Sequence, residues 1–485
     1  MVALTYNNSL YGIQLNMFFK SSLLFCCTHL DFVLKLGNFI MNTVEAHFCG
    51  ISSQSNIYGL TSLYTGESSH KVLVASSKRT IYCIECSKNQ QNVIFSTREV
   101  QFTYIPGNAE IISMDAFNQA CHIHDFVVGI TFVKYPIQEQ EDLVFQEQGL
   151  QERDYRRRSE GDSSGMKKYF NIYSDWEPSK ECDLDNIAQG CLSICLEFVP
   201  LHLTHTEIIV DDVKEVVWLL SGNDNKIHLY REDKTRQTYY EDLSTTCFPE
   251  FASLDSLVIW MDFFTTFEYR ITALGCKHGF VIVSSVKLPE TTLQASWKIQ
   301  HDGPVTTVRL FQDSTLESIQ NCFFSTNKKD DKIHLCVGNA LEVSVVYRDI
   351  LNHGLELKNQ ELLPESSMYD CVMCSLIADI DMDGKNEVLL GTYGQQLLVY
   401  KWKIESGKTG SYELYHKQMF PHPLLALSYM DIIGDGVKEL LVLTTNGLHI
   451  LQHDLTQVRD ICFERMKWVL RNIPADKLKK SLKID

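Results

Sequence analysis

Residues 387–402 read EVLLGTYGQQLLVYKW, two apolar, β-branched runs joined by a short glycine-containing turn. That is the pattern of a β-hairpin. Working outward, the same pattern opens at Lys438 (KELLVLTTNGLHILQH) on one side. On the other it opens near Ile333 (IHLCVGNALEVSVVY), Arg270 (RITALGCKHGFVIVSS), Glu215 (EVVWLLSGNDNKIHLY), Phe126 (FVVGITFVK) and Lys71 (KVLVASSKRTIYCIEC). The mean step between the seven starts is about 61 residues. A lone hairpin cannot bury both of its faces, so a fixed-period array predicts one four-stranded unit copied around an axis. The expected fold is all-β: a seven-bladed β-propeller over residues 41–455, followed by a C-terminal helix.

One interval is long. Phe126 to Glu215 spans about 89 residues, against about 51 to 63 elsewhere. It contains residues 138–167, rich in Gln, Glu, Arg, Ser and Gly; without them the interval falls to about 59 and rejoins the period. Such an insert cannot bury a core and is expected to be disordered. Within it, Gly161-Asp162-Ser163-Ser164-Gly165 spells a nucleophile elbow, yet lacks the strand and helix that strain the serine. Arg156-Arg157-Arg158-Ser159 has the letters of a basophilic kinase site and reads first as a solvated charged loop.

After the last hairpin the period changes. Val458, Ile461, Cys462, Trp468 and Val469 fall near helical spacing until Pro474, so residues 456–485 are read as a helix with a basic tail at Lys477–Lys483. The helix is expected to pack under the ring, docking to a partner being the alternative. Residues 1–40 are read as a doubtful N-terminal extension. Lys20, Asp31 and Lys35 interrupt its apolar run, and a membrane span needs about 20 apolar residues, so no transmembrane segment or targeting signal is expected.

Of the 485 residues 45% are hydrophobic and 22% charged, with a formal net charge of −17. That balance argues against nucleic acid and against wholesale adhesion to anionic lipid, both of which need basic surface. Sixteen cysteines show no framework spacing and mostly sit in apolar runs, as buried thiols of a reducing compartment would. The pairs Cys83/Cys86 and Cys371/Cys374 lack completing ligands for zinc. One glycosylation sequon, Asn7-Asn8-Ser9, is present; a cytoplasmic protein is expected. No phosphate-cradling loop, zinc-protease helix or kinase motif set appears, so no enzyme activity is expected. His228, His334 and His449 alternate with apolar neighbours and read as structural polar positions between blades. The run Trp260–Phe267 reads as blade core, with an exposed hot spot as the alternative.

One constellation carries ligand chemistry. Asp379-Ile380-Asp381-Met382-Asp383-Gly384-Lys385-Asn386-Glu387 sets carboxylates at loop positions 1, 3, 5 and 9. Alternate residues of a tight loop can turn oxygens inward, which suits a hard cation, so Asp379, Asp381, Asp383 and Glu387 are the candidate Ca²⁺ ligands. It is not an EF-hand, because position 12 is Leu390. The loop repeats as Asp431–Glu439 with Ile433, which has no oxygen to offer, at position 3. That erosion favours the alternative, in which the carboxylates satisfy backbone N–H groups of the turn.

The acidic loop leading into a hairpin resembles the integrin-type FG-GAP propeller repeats. Several phrases are similar to the kaptin family: Ser52–Leu60, Val100–Pro106, Ala109–Ile111, Val127–Phe132, Leu219–Tyr230, Val345–Leu351 and His449–His453. The resemblance runs from about Met41 to Ile473; residues 1–40 have no counterpart in it, and the Gln/Glu-rich insert is longer than it implies. It implies a non-enzymatic subunit of the KICSTOR assembly, beside a second FG-GAP-like propeller subunit and a large scaffold subunit. That assembly holds the GATOR GTPase-activating complex at the lysosomal membrane and represses TOR kinase signalling when amino acids or glucose run short. It also implies an association with actin filaments in lamellipodia and stereocilia.

Overall fold

The computed structural model describes residues 43–64, 70–88, 93–118, 126–136, 165–174, 184–210, 213–313, 332–404 and 410–472, the side chains of 468–472 excepted. These residues form seven four-stranded antiparallel sheets. Blades 1 to 6 are residues 55–100, 109–196, 200–242, 258–300, 305–362 and 372–419, each with its strands in chain order. Blade 7 takes three strands from residues 424–453 and its outermost from Thr43–Gly50, which pairs antiparallel with Gly447–His453. The first strand of each blade touches the first strand of the next, and Ser55–Tyr64 touches Leu424–Met430, so the ring is closed.

Six of the seven hairpins read from the sequence are the second and third strands of the blades, whereas the stretch at Phe126 is a second strand alone, Phe126–Lys134. They are the most apolar because both of their faces are covered: Glu387–Thr392 and Glu439–Thr444 are buried along their whole length. In blade 2 the two central strands, Phe126–Lys134 and Lys167–Tyr173, meet with Lys134 opposite Lys167. Residues 137–164 therefore join two strands that pair side by side. Arg156–Ser159 and Gly161–Ser164 lie there, outside the described residues, as do residues 1–40, Pro474 and the basic tail.

The core lies between blades. Each neighbouring pair shares one apolar cluster, such as Leu389, Val399, Leu424 and Val442 between blades 6 and 7. Val74 and Ile84 with Leu441 and Ile450 seal blade 7 against blade 1. Close approach needs a missing side chain at Gly129, where a Cβ would sit 2.9 Å from both Trp218 and Leu203 of blade 3. The C-terminal helix, Leu455–Asn472, follows the last strand directly. Its Val458, Ile461 and Cys462 pack on Met382 and Val437, one from each acidic loop.

Candidate functional site

Both acidic loops connect the first and second strands of their blades, and the helix lies across them. In blade 6, Asp379 accepts the Gly384 N–H at 2.8 Å, Asp383 accepts that of Lys385 at 2.9 Å, and Glu387 accepts that of Ile380 at 3.0 Å. The turn needs left-handed backbone at Met382 (φ 60°) and Gly384 (φ 91°). In blade 7 the same three bonds recur. Asp431 accepts from Gly436 at 2.7 Å, Asp435 from Val437 at 2.8 Å, and Glu439 from Ile432 at 3.0 Å. Position for position, the carboxylates satisfy the turn's own amides.

Blade 6 has one feature that blade 7 lacks. Lys401, on the third strand Gln396–Lys403, pairs its ammonium with Asp381 and Asp383 and lies 3.5 Å from Glu387. Burial alone lowers a lysine pKa; here Asp381, Glu387 and Asp383 outweigh it and hold Lys401 above its ordinary value. Burial, then Asp383 and Asp381, push Asp379 up to about 7. Burial and the neighbouring carboxylates also raise Glu387 well above the ordinary range. In blade 7, burial followed by Asp435 and Asp431 raises Glu439 to about 8.

Oxygens of Asp379, Asp381 and Glu387 lie within 4.8 Å of one another, as do those of Asp431, Asp435 and Glu439. Ca²⁺ requires six to eight oxygens. The blade 6 oxygens are engaged by backbone amides or face Lys401, leaving Asp379 Oδ1 and Glu387 Oε1 without a hydrogen bond. As placed, Asp379, Asp381, Asp383 and Glu387 do not fit a divalent ion unless Lys401 is expelled. The sequence reading missed this lysine. Its only signal was a basic residue inside the apolar run QLLVYKWK.

A second concave feature, a cavity of about 310 Å³, lies on the axis and is lined by residues of all seven blades. Its polar groups bind the walls. Tyr58 donates to Ile259 O at 2.7 Å, and Asp115 meets His205 at 2.7 Å. His202 Nδ1 accepts the Met261 N–H at 3.2 Å, and burial lowers its pKa to about 3, so the ring is neutral. Arg309 donates to Ser375 O at 3.3 Å and lies 4.9 Å over the Trp260 ring. The His205, His202 and Arg309 bonds join neighbouring blades, and the Tyr58 bond reaches across the axis from blade 1 to blade 4.

The other singled-out residues sit in the frame of the fold. His228 pairs with Glu241 at 2.7 Å, His334 Nδ1 accepts the Asp349 N–H at 2.9 Å, and His449 pairs with Glu45 at 3.1 Å. Cys83 faces the core between blades 1 and 2, whereas Cys86 packs on the opposite one, so that pair cannot share a metal. In the aromatic run Trp260 and Met261 are buried, but Phe267 is 87% exposed at a turn.

The sequence profile of the family described as KICSTOR complex protein kaptin matches residues 43–463. The KICSTOR complex protein kaptin of Mus musculus is 37% identical over 426 residues, covering 87% of this chain and 91% of the mouse protein. Among solved structures, BBS1N in complex with ARL6DN is similar at 10% identity and a TM-score of 0.46, over 86% of this chain and 99% of that one. The Dos1 propeller is similar at 8% identity and a TM-score of 0.46, over 84% and 95%.

Proposed function

The chain belongs to the KICSTOR complex protein kaptin family, and from that premise we propose that it is a non-enzymatic subunit that helps hold the GATOR GTPase-activating complex at the lysosomal surface, repressing TOR kinase signalling during amino-acid or glucose shortage. The observation that carries this reading is the extent of the likeness: it runs through all seven blades and into the helix. The whole platform is shared with the mouse protein, not one blade.

The geometry supports the same reading. A closed ring offers turns from every blade on two broad faces, and large partners need surface of that kind rather than a reactive side chain. The titratable groups near the axis are bonded to the walls of neighbouring blades. No described helix is long and apolar enough to cross a membrane, so residence at a lysosome depends on partners in this proposal.

The test is purification of the tagged full chain from cells at endogenous level. Stoichiometric recovery of a second FG-GAP-like propeller subunit and a large scaffold subunit is expected. Recovery of the chain alone under gentle lysis and cross-linking would contradict the proposal.

A further inference from the structure

We propose that Lys401 is the built-in cation of the blade 6 loop: its ammonium holds the place that a divalent ion would take among Asp381, Asp383 and Glu387, making the loop and the helix seated on it independent of metal. The register fixes this placement. Along Gln396–Lys403, Leu397 and Val399 face blade 7 with the loop residue Ile380, and Lys401 continues that face. The Tyr415 ring lies 5.4 Å from the ammonium and covers it.

The chain supplies its own control. Val388 pairs with Tyr400 in blade 6, and Leu440 pairs with Leu451 in blade 7, so Gln452 is the counterpart of Lys401. Both loops keep the same three amide-to-carboxylate bonds, but the third position is Asp381 in one and Ile433 in the other. Ile433 is buried in the apolar cluster between blades 7 and 1. The lysine occurs where a fourth carboxylate, Asp381, joins the three common to both loops, and glutamine stands where Ile433 brings no charge. On the outer side, Arg465 of the helix is 5% exposed and donates to Met382 O at the apex of the blade 6 loop. Among the described residues, Lys401 lies below this acidic turn and Arg465 above it, so the loop serves as the seat of the helix.

Thermal melting of the full chain in EDTA and in excess CaCl₂ tests this. The unmodified chain is expected to melt at the same temperature in both. Lys401→Gln should melt several degrees lower in EDTA and recover part of that loss with CaCl₂, because it vacates a site with cation-binding oxygens. Should that variant fold poorly, the double variant Asp381→Ile/Lys401→Gln, which copies blade 7, is expected to restore the melting temperature and ignore CaCl₂. A Ca²⁺-dependent rise in the unmodified chain that Asp381→Asn abolishes would overturn the proposal. So would a Lys401→Gln variant that melts like the parent in EDTA or gains no response to CaCl₂, or a double variant no more stable than the single.

Discussion

The acidic turns of blades 6 and 7 share a backbone and differ in how they bury charge. In blade 7, Glu439 is fully buried with Oε1 unpartnered, and its pKa of about 8 lets it keep a proton at neutral pH. In blade 6, Glu387 is as deeply buried, but with Asp381 and Asp383 beside it an ammonium is also drawn in. A buried carboxylate can be accommodated by protonation or by a partner, and one ring uses both. The shared acidic pattern therefore marks a turn geometry; the residue at position 3 decides whether a cation is needed.

The largest way to disturb the contrast is Lys401→Met. It strands carboxylates in a site where the lysine is only 17% exposed, and should cost about 3–5 kcal/mol in urea denaturation with EDTA present. Next, Ile433→Asp gives blade 7 the charge without the lysine and places it in an apolar core. A loss of about 2–4 kcal/mol is expected, reduced when Gln452→Lys is added. Arg465→Met removes the bond to Met382 O and should cost about 1–3 kcal/mol, with faster proteolysis at the helix as the accompanying readout.

The smallest effect is a slope with pH. Glu439 has a folded pKa of about 8, above its unfolded value, so the folded state binds more protons across the interval between the two. Its contribution to stability falls as pH rises through that interval and is lost above about 8. Glu439→Gln should flatten the decline by at most about 1.4 kcal/mol per pH unit, measured as urea midpoints at pH 6 and pH 9. An unchanged slope would place the contrast between the loops elsewhere.

The ring was legible because its central strands are covered on both faces and so read as unbroken apolar runs. Val72–Ala75, Glu387–Thr392 and Glu439–Thr444 are examples. Outer strands carry a weaker pattern: Thr292–Gln300 is mostly exposed or half-buried. A closed ring was expected, but the strand that closes it was not legible. Thr43–Gly50 has a single buried residue, and its partner, Gly447–His453, lies at the other end of the chain. At the site, spacing alone revealed Asp379, Asp381, Asp383 and Glu387, since a tight turn brings near neighbours together. Lys401 enters through strand register, and Arg465 through a helix docked on the loop, neither of which spacing reports. Val458, Ile461 and Cys462 were visible as an apolar stripe, but their seat on Met382 and Val437 was not.

The proposed role is that of a subunit held in an assembly. The most direct measurement is phosphorylation of a TOR kinase substrate in amino-acid-starved cells from which the chain has been removed and then restored. The account predicts that phosphorylation persists without the chain and is silenced again on its return. Normal silencing in cells that lack it would contradict the account.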